Sequence, residues 1–434
     1  MDIDNKVNIL KNKLNKVQFD GCENILMGDV LHYPILAMDD DFYNASRLKK
    51  VLRITKWLFQ ILVLSVRDQY EYADRRLESN SLFLFSSSYG FRKDMREPFK
   101  KMANTVCNNS IVMYNGTYSL NFSGMKYLFL YRKWSYILKK ERVVESIYER
   151  IYVLMNMVIP HHDYISITNH YEKQGHSFDN LVTWCDVQSV DSFFTQKFNL
   201  LGKNTITMQH GFFCERFNGW TLKGMKSKVF FAENCFTRDI LRRVDFDGKI
   251  EVCGSVHNLG TVTKVKKQNA NKTIGVALSG EVLHNFNQTI CDKLSKIKGI
   301  ENYDLLCKMH PVSEIENYSR DSLSVFKKIY KKEISGEAFM EMMDIVLLCP
   351  STMIYGALYR NIPFLVFADD NGYYRDYELP DDFIIKVDDL DISRIEQIFS
   401  EEYYKKYSEI REYFTVLGDI ETNYRTSFNK YGVI

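Results

Sequence analysis

Three short apolar runs in the carboxyl-terminal half of the chain leave it few ways to fold. They are Leu305-Leu306-Cys307-Lys308, Ile345-Val346-Leu347-Leu348-Cys349 and Ile362-Pro363-Phe364-Leu365-Val366-Phe367, each bounded by turn residues and separated from the next by a helix-length interval. Runs this short and continuously apolar are expected of strands covered on both faces, as in parallel βα units. Ligands of such open sheets bind beyond the carboxyl ends of the strands. The residues next in line therefore weigh most: His310, held by Pro311, after the first run, and Ser351 with Thr352 after the second. A helix opening at Ser351-Thr352 would offer backbone N–H groups, two hydroxyls and the positive end of its dipole, which suits an anion and phosphate above all.

A chain of 434 residues is too long for one core and implies two domains. With 26% charged residues and a net charge of +2 it has no polyanion-seeking surface, so no nucleic-acid partner is expected. Its nine cysteines are scattered singly without a CxxC pair, which predicts reduced, buried thiols in a cytoplasmic protein and neither disulfides nor zinc. The opening Met1-Asp2-Ile3-Asp4 lacks the pattern of a signal peptide, and the most apolar stretch, 57–66, is too short to span a bilayer and reads as a buried helix. His161 and His162 follow Pro160 in an expected loop, His170 and His176 flank a turn, and no metal site is expected.

In chain order, residues 1–75 are helical in tendency, and 82–85 forms a strand ending in Ser86-Ser87-Ser88-Tyr89-Gly90, either a ligand-holding loop or a surface turn. Residues 91–160 are tyrosine-rich, basic and mostly helical, notably 128–157; they supply an acceptor platform or membrane-facing surface, or simply core plus solvated face. From 165 onward the runs 165–168, 181–184, 205–208, 228–232 and 250–253 read as strands, with helices at 190–201 and 237–243, a second βαβ set. The run 205–208 delivers Gln209-His210-Gly211 and then Phe212-Phe213. A histidine there suits a general base that deprotonates an attacking hydroxyl, the alternative being a structural histidine bonded at a strand end; Glu215 is the other candidate base. His257 and His284 are expected near the interdomain face, as binding groups or as solvated side chains.

The polar, basic segment 261–272 has no hydrophobic period and marks a linker between a domain at 1–260 and one at 273–390. The second domain opens with a strand at 273–278 and a Ser279-Gly280 turn into a helix at 282–297, a phosphate-cradle pattern. Residues 391–434 form charged, tyrosine-rich helices that either cross back to the first domain or cover the second.

Gln209-His210-Gly211 in the first domain, Lys308-Met309-His310-Pro311 in the second, and Ser351-Thr352 ahead of a helix and Ile362-Pro363 together resemble the bacterial GT-B transferases that build surface polysaccharides. The CDP-glycerol type polymer transferases and the capsule, Kdo and sialic acid transferases are the groups most similar in pattern, over about residues 165–375. The resemblance implies an α/β fold of GT-B type, two Rossmann-like domains facing an interdomain cleft. It implies an inverting, metal-independent glycosyltransferase without a cofactor, using a nucleotide-sugar donor to build capsule, lipopolysaccharide or a teichoic-acid-like polymer on a saccharide or lipid-linked saccharide acceptor. On these residues, His310, Ser351 and Thr352 would hold the donor phosphate, with Lys308, Pro311, Ser279 and Gly280 completing the nucleotide side. Gln209 and Gly211 would lie on the acceptor side, and His210 or Glu215 would take the proton.

Enzymes of this kind that use UDP- or GDP-sugars often place a Glu after the Ser/Thr pair; Tyr355-Gly356 stands there, which favours a cytidine nucleotide such as a CMP-sugar. The segment 369–377, from Asp369-Asp370 to Tyr377, is similar to the acidic and aromatic loop of the CDP-glycerol type enzymes. Three alternatives stay open: a CDP-alditol phosphotransferase, a nucleotide-sugar 2-epimerase, and a noncatalytic capsule-assembly partner. A cytoplasmic location is expected, with peripheral contact at the inner face of the membrane through basic aromatic helices carrying Arg132, Lys133, Lys139 and Lys140.

Overall fold

The computed structural model describes residues 3–38, 46–65, 70–74, 80–89, 93–106, 109–115, 119–120, 125, 127–209, 211, 213–214, 222, 224–258, 272–280 and 283–433. Up to residue 258 the strands are Leu64–Ser65 (β1), Tyr70–Asp74 (β2), Ser81–Phe85 (β3), Asn109–Tyr114 (β4), Ser119–Leu120 (β5), Asn180–Thr183 (β6), Asn204–Met208 (β7), Val229–Ala232 (β8) and Lys249–Val252 (β9). β1 and β5 form a small antiparallel ribbon, and the other seven build one sheet in the order β2-β4-β3-β6-β7-β8-β9. Only β2 runs antiparallel to its neighbour in that sheet.

The second sheet comprises Thr273–Ala277 (β10), Asp304–Lys308 (β11), Lys328–Tyr330 (β12), Ile345–Leu348 (β13), Phe364–Phe367 (β14) and Ile384–Ile385 (β15). It is wholly parallel, in the order β12-β11-β10-β13-β14-β15. Counted from β10, this is the 3-2-1-4-5-6 order of a dinucleotide-binding sheet, which reverses direction between its first and fourth strands. β10, β13 and β14 are buried at every position, and that two-sided cover is why, Thr273 apart, their sequences are unbroken apolar runs. The fold is thus α/β with two Rossmann-like sheets, as a GT-B type chain requires.

The helices Ile3–Asn15, Leu128–Lys140 and Ile147–Glu172 build a separate core on the first sheet, with Leu14, Phe19, Trp134 and Val153 buried against Phe193. Here several expectations fail. Residues 165–168 are not a strand but part of the helix Ile147–Glu172, where the Thr168 hydroxyl donates to the Tyr164 carbonyl at 2.8 Å, a bond available only within a helix turn. His161 and His162 lie buried inside the same helix, not in a loop, because Pro160 is accommodated without ending it. Burial lowers the His161 pKa to about 4. The expected helix 128–157 is broken: Ser146 caps the second helix by accepting from the Tyr148 N–H. β2 and β4 lie in segments that composition alone renders helical, and they owe their strand state to pairing, β2 with β4 and β4 with both β2 and β3. The apolar stretch beginning at 57 belongs to the helix Arg47–Val63, whose Phe59 is exposed rather than buried.

Two carboxyl-terminal helices tie the domains together. Glu401–Phe414 packs on the second sheet, with the Tyr407 hydroxyl donating to the Ala357 carbonyl at 3.1 Å and the Arg411 Nε to the Leu358 carbonyl at 2.7 Å. Ile420–Lys430 lies on the first sheet, where Phe428 packs against Phe83 and Phe231 and the Tyr424 hydroxyl donates to the Gly254 carbonyl at 3.0 Å. Gly254 has φ +96°, and a Cβ added to it would lie 3.0 Å from Ile420, so a bare backbone at the end of β9 is what lets the helix dock.

Candidate functional site

The second sheet brings three predicted elements to its point of reversal. The tip of β10 runs between the ends of its neighbours: the Leu278 N–H donates to the Lys308 carbonyl and the Cys349 N–H to the Ala277 carbonyl, both at 3.0 Å. This sets the Ser279-Gly280 turn between the segments carrying His310 and Ser351. A Cβ on Gly280 would stand 3.6 Å from His310 Nδ1, so the imidazole lies against the bare face of the glycine. His310 itself is exposed; its Nδ1 accepts from the Val312 N–H at 3.4 Å and its carbonyl from the Ser313 N–H at 3.0 Å, closing a tight turn around Pro311. With Nδ1 an acceptor, the neutral ring carries its proton on Nε2 and can donate there.

Asn287, on the helix His284–Leu294 and fully buried, holds this turn in place. Its Oδ1 accepts from the Ser279 N–H at 3.2 Å and from Cys349 Sγ at 3.3 Å, while its Nδ2 donates to the Ser279 carbonyl at 3.0 Å and to the Tyr318 hydroxyl at 3.2 Å. Sequence reasoning missed it; its only signal was a polar residue on the inward face of an expected helix.

Two expectations here need correction. Lys308 does not point into the site: it is buried, and its ammonium donates to the Lys331 carbonyl and to the Met309 carbonyl at 3.4 Å, so it binds the β11 and β12 ends together. Burial lowers its pKa. Thr352 occupies the cap position of Met353–Tyr359 in a helical conformation, φ −62°, and its hydroxyl makes no capping bond. The first turn closes instead through the Ile354 N–H to the Ser351 carbonyl at 3.2 Å and the Tyr355 N–H to the Thr352 carbonyl at 3.1 Å, which leaves fewer donors for an anion than a side-chain-capped start. In the acidic loop, Asp369 is buried and accepts from the Tyr373 and Tyr374 N–H groups at 3.1 and 3.0 Å; it clamps a turn.

On the first sheet, Gln209 follows β7 and is wholly buried. Its Oε1 accepts from the Glu233 N–H and its Nε2 donates to the Gly211 carbonyl, both at 2.7 Å, so the amide is spent on shaping the loop and not on an acceptor. Gly211 has φ +148°, a conformation that side-chain-bearing residues rarely adopt. His210 and Glu215 lie outside the described residues.

The neighbouring strand end carries an acid that sequence reasoning overlooked. Glu233, after β8, is buried, and burial pushes its carboxyl up to about 8 even though the Ser255 hydroxyl donates to it at 2.9 Å. The Ser255 N–H in turn donates to the hydroxyl of Tyr359, on the second domain, at 3.1 Å. Nearby, Arg243 and Glu378 form a two-bond ion pair at 2.9 and 2.6 Å across the same junction. The carboxyl-end loops of the first sheet therefore meet the helix Met353–Tyr359, which begins beside the Ser351 strand end.

The remaining candidates separate from this site. A groove of about 460 Å³ lies between the helix Lys93–Ala103 and the turn Val256–Asn258, bounded by Glu97, Lys100, Lys101, Asn104 and His257, and contains none of the predicted site residues. His284 rests edge-on against Tyr318, ring centroids 4.7 Å apart. The serine loop after β3 turns inward: Ser86 donates to Asp191 at 3.0 Å and Ser87 to Asp163 at 2.8 Å. Among the described residues no group of three or more His, Cys, Asp or Glu could hold a metal ion, and no helix is long and apolar enough to cross a membrane.

No family model and no curated protein matches the chain. Among solved structures it is similar to the lipopolysaccharide outer core galactosyltransferase WaaB in its apo form, at 12% identity and TM-score 0.45 over 81% of this chain and 98% of that one. It is also similar to Os79 from O. sativa in complex with UDP, at 9% identity and TM-score 0.47 over 81% and 100%. A third is UDP-GlcNAc 2-epimerase from Neisseria meningitidis bound to UDP-GlcNAc, at 14% identity and TM-score 0.38 over 63% and 81%.

Proposed function

We propose that the chain is an inverting glycosyltransferase that uses a nucleotide-activated sugar, a cytidine nucleotide in preference to UDP or GDP, to build a bacterial surface polysaccharide. The observation that carries this is the Ser279-Gly280 turn at the reversal of the second sheet, with the His310 imidazole packed on Gly280 and Ser351 at the adjacent strand end. A donor phosphate in that notch would meet the His310 Nε2–H, the hydroxyls of Ser279, Ser351 and Thr352, and a glycine whose missing side chain lets it come close. Fixed donors of this kind stabilise the charge that grows on a departing nucleotide.

In the reaction the acceptor hydroxyl attacks the anomeric carbon from the face opposite the nucleotide, and its proton passes to His210, with Glu215 as the other base. The bond from the anomeric carbon to the phosphate oxygen breaks, and the nucleotide leaves with the electron pair. Gln209 and Gly211 act by shaping the loop that carries His210.

A thermal-shift screen of CMP, CDP, UDP and GDP on the wild-type protein and on His310→Ala tests the proposal, since ligand at about 100 times its dissociation constant stabilises by about 2.7 kcal/mol. The expected result is a shift with CMP or CDP that the substitution abolishes. A shift with UDP alone would overturn the cytidine assignment, and no shift with any nucleotide would overturn the donor site and favour a noncatalytic assembly partner.

A further inference from the structure

The helix Arg47–Val63 carries Arg47, Lys49, Lys50, Arg53 and Lys56 and no acidic residue. At about 100° per residue, Leu48, Leu52, Thr55 and Phe59 fall within roughly 60° of one another on its surface. That stripe faces water: Leu48 is 69% exposed, Leu52 60% and Phe59 52%. Lys49 and Lys56, both exposed, lie along one flank of it. Surface helices of globular proteins turn an apolar stripe to the core, whereas this stripe is exposed.

A second helix repeats the pattern. The residues that end Arg47–Val63 run into β1, which pairs with β5, and β5 precedes Leu128–Lys140. There Phe129 is 82% and Tyr136 64% exposed, on the same face as Arg132 and Lys140, and again the helix has no acidic residue. Both helices pack against Ile147–Glu172.

We propose that this helix pair docks on an anionic phospholipid bilayer. Arg47–Val63 lies in the interfacial plane, with Leu48, Leu52 and Phe59 among the upper acyl chains and Lys49 and Lys56 at the phosphates. Charge decides for this occupant: exposed apolar side chains with cations and no acid on either helix match a surface that is negative outside and apolar beneath. The proposal is independent of the transferase assignment, because none of its residues belongs to the donor site.

The test is co-sedimentation of the full chain with vesicles of phosphatidylcholine, alone or mixed with phosphatidylglycerol, at low and high salt. Wild type should partition onto the anionic vesicles and not onto pure phosphatidylcholine. The variant Leu48→Gln/Leu52→Gln/Phe59→Gln should lose roughly tenfold or more of that partition, and Lys49→Gln/Lys56→Gln should lose several-fold and flatten the salt dependence. Absence of wild-type partition, or equal partition of the apolar variant and wild type, overturns the proposal. So does a lipid-free dimer in sedimentation velocity that the apolar variant dissociates, which would assign the stripe to a second copy of the chain. Should the apolar variant fail to fold by circular dichroism, the lysine variant decides by the same measure.

Discussion

Replacing Glu233 with Gln should stabilise the protein, and by an amount that grows with pH. Glu233 lies buried at the end of β8 with the Ser255 hydroxyl as its hydrogen-bond donor and, among the described residues, no cation to offset its charge. Burial lifts the carboxyl from 4.5 to about 8, so the folded chain keeps a proton there that the unfolded chain releases. A group raised in the fold contributes fully below its unfolded pKa and loses that contribution as pH climbs to its folded one. The loss therefore runs from about pH 4.5 to about pH 8. Each pKa unit is worth about 1.4 kcal/mol, which makes the cost about 1 kcal/mol at pH 5 and about 4 kcal/mol at pH 8. Glutamine keeps the oxygen that accepts from Ser255 and carries no charge to desolvate. Circular dichroism melts of both proteins at several pH values should show the variant nearly level with wild type at pH 5 and several degrees above it at pH 8. An offset that stays constant with pH, or a variant less stable than wild type at pH 8, would refute the assignment of a neutral buried carboxyl.

Asn287→Ala should cost about 2 kcal/mol of stability by leaving the Ser279 backbone and the Tyr318 hydroxyl without their partner. It should also weaken nucleotide binding in a calorimetric titration, although Asn287 is a positioning residue, because the Ser279-Gly280 turn loses its brace. The thiols of Cys22, Cys253, Cys291 and Cys349 are pushed up to about 12 by burial, whereas Cys235 is half-buried. Under native conditions a thiol reagent should label Cys235 ahead of these, and Cys235→Ser should remove that labelling, read by peptide mass mapping.

The second domain was legible in the sequence because parallel strands buried on both faces must be apolar throughout. The runs at 305–308 and 345–349 map onto β11 and β13 to within a residue or so, and Ser279, Gly280, His310 and Ser351 fall at their carboxyl ends or that of β10. The first domain was less so. Residues 165–168 carry the β-branched pattern of a strand yet sit in the helix Ile147–Glu172, and β2 and β4 were hidden in helical composition, since local preference yields to whichever neighbours a segment packs against.

Sequence by itself determined the central strands of the second domain and that Ser279-Gly280, His310 and Ser351 follow them, because hydrophobic period and turn chemistry are local properties. Tertiary structure alone decided which polar groups face inward. Lys308 and Gln209 look like ligand-binding residues in one dimension and prove to be spent on backbone groups. Asn287 and Glu233 look ordinary and turn out to brace the turn and bridge toward the second domain. The physical reason is that burial and partner geometry fix the work of a polar side chain, and both depend on segments far away in the chain.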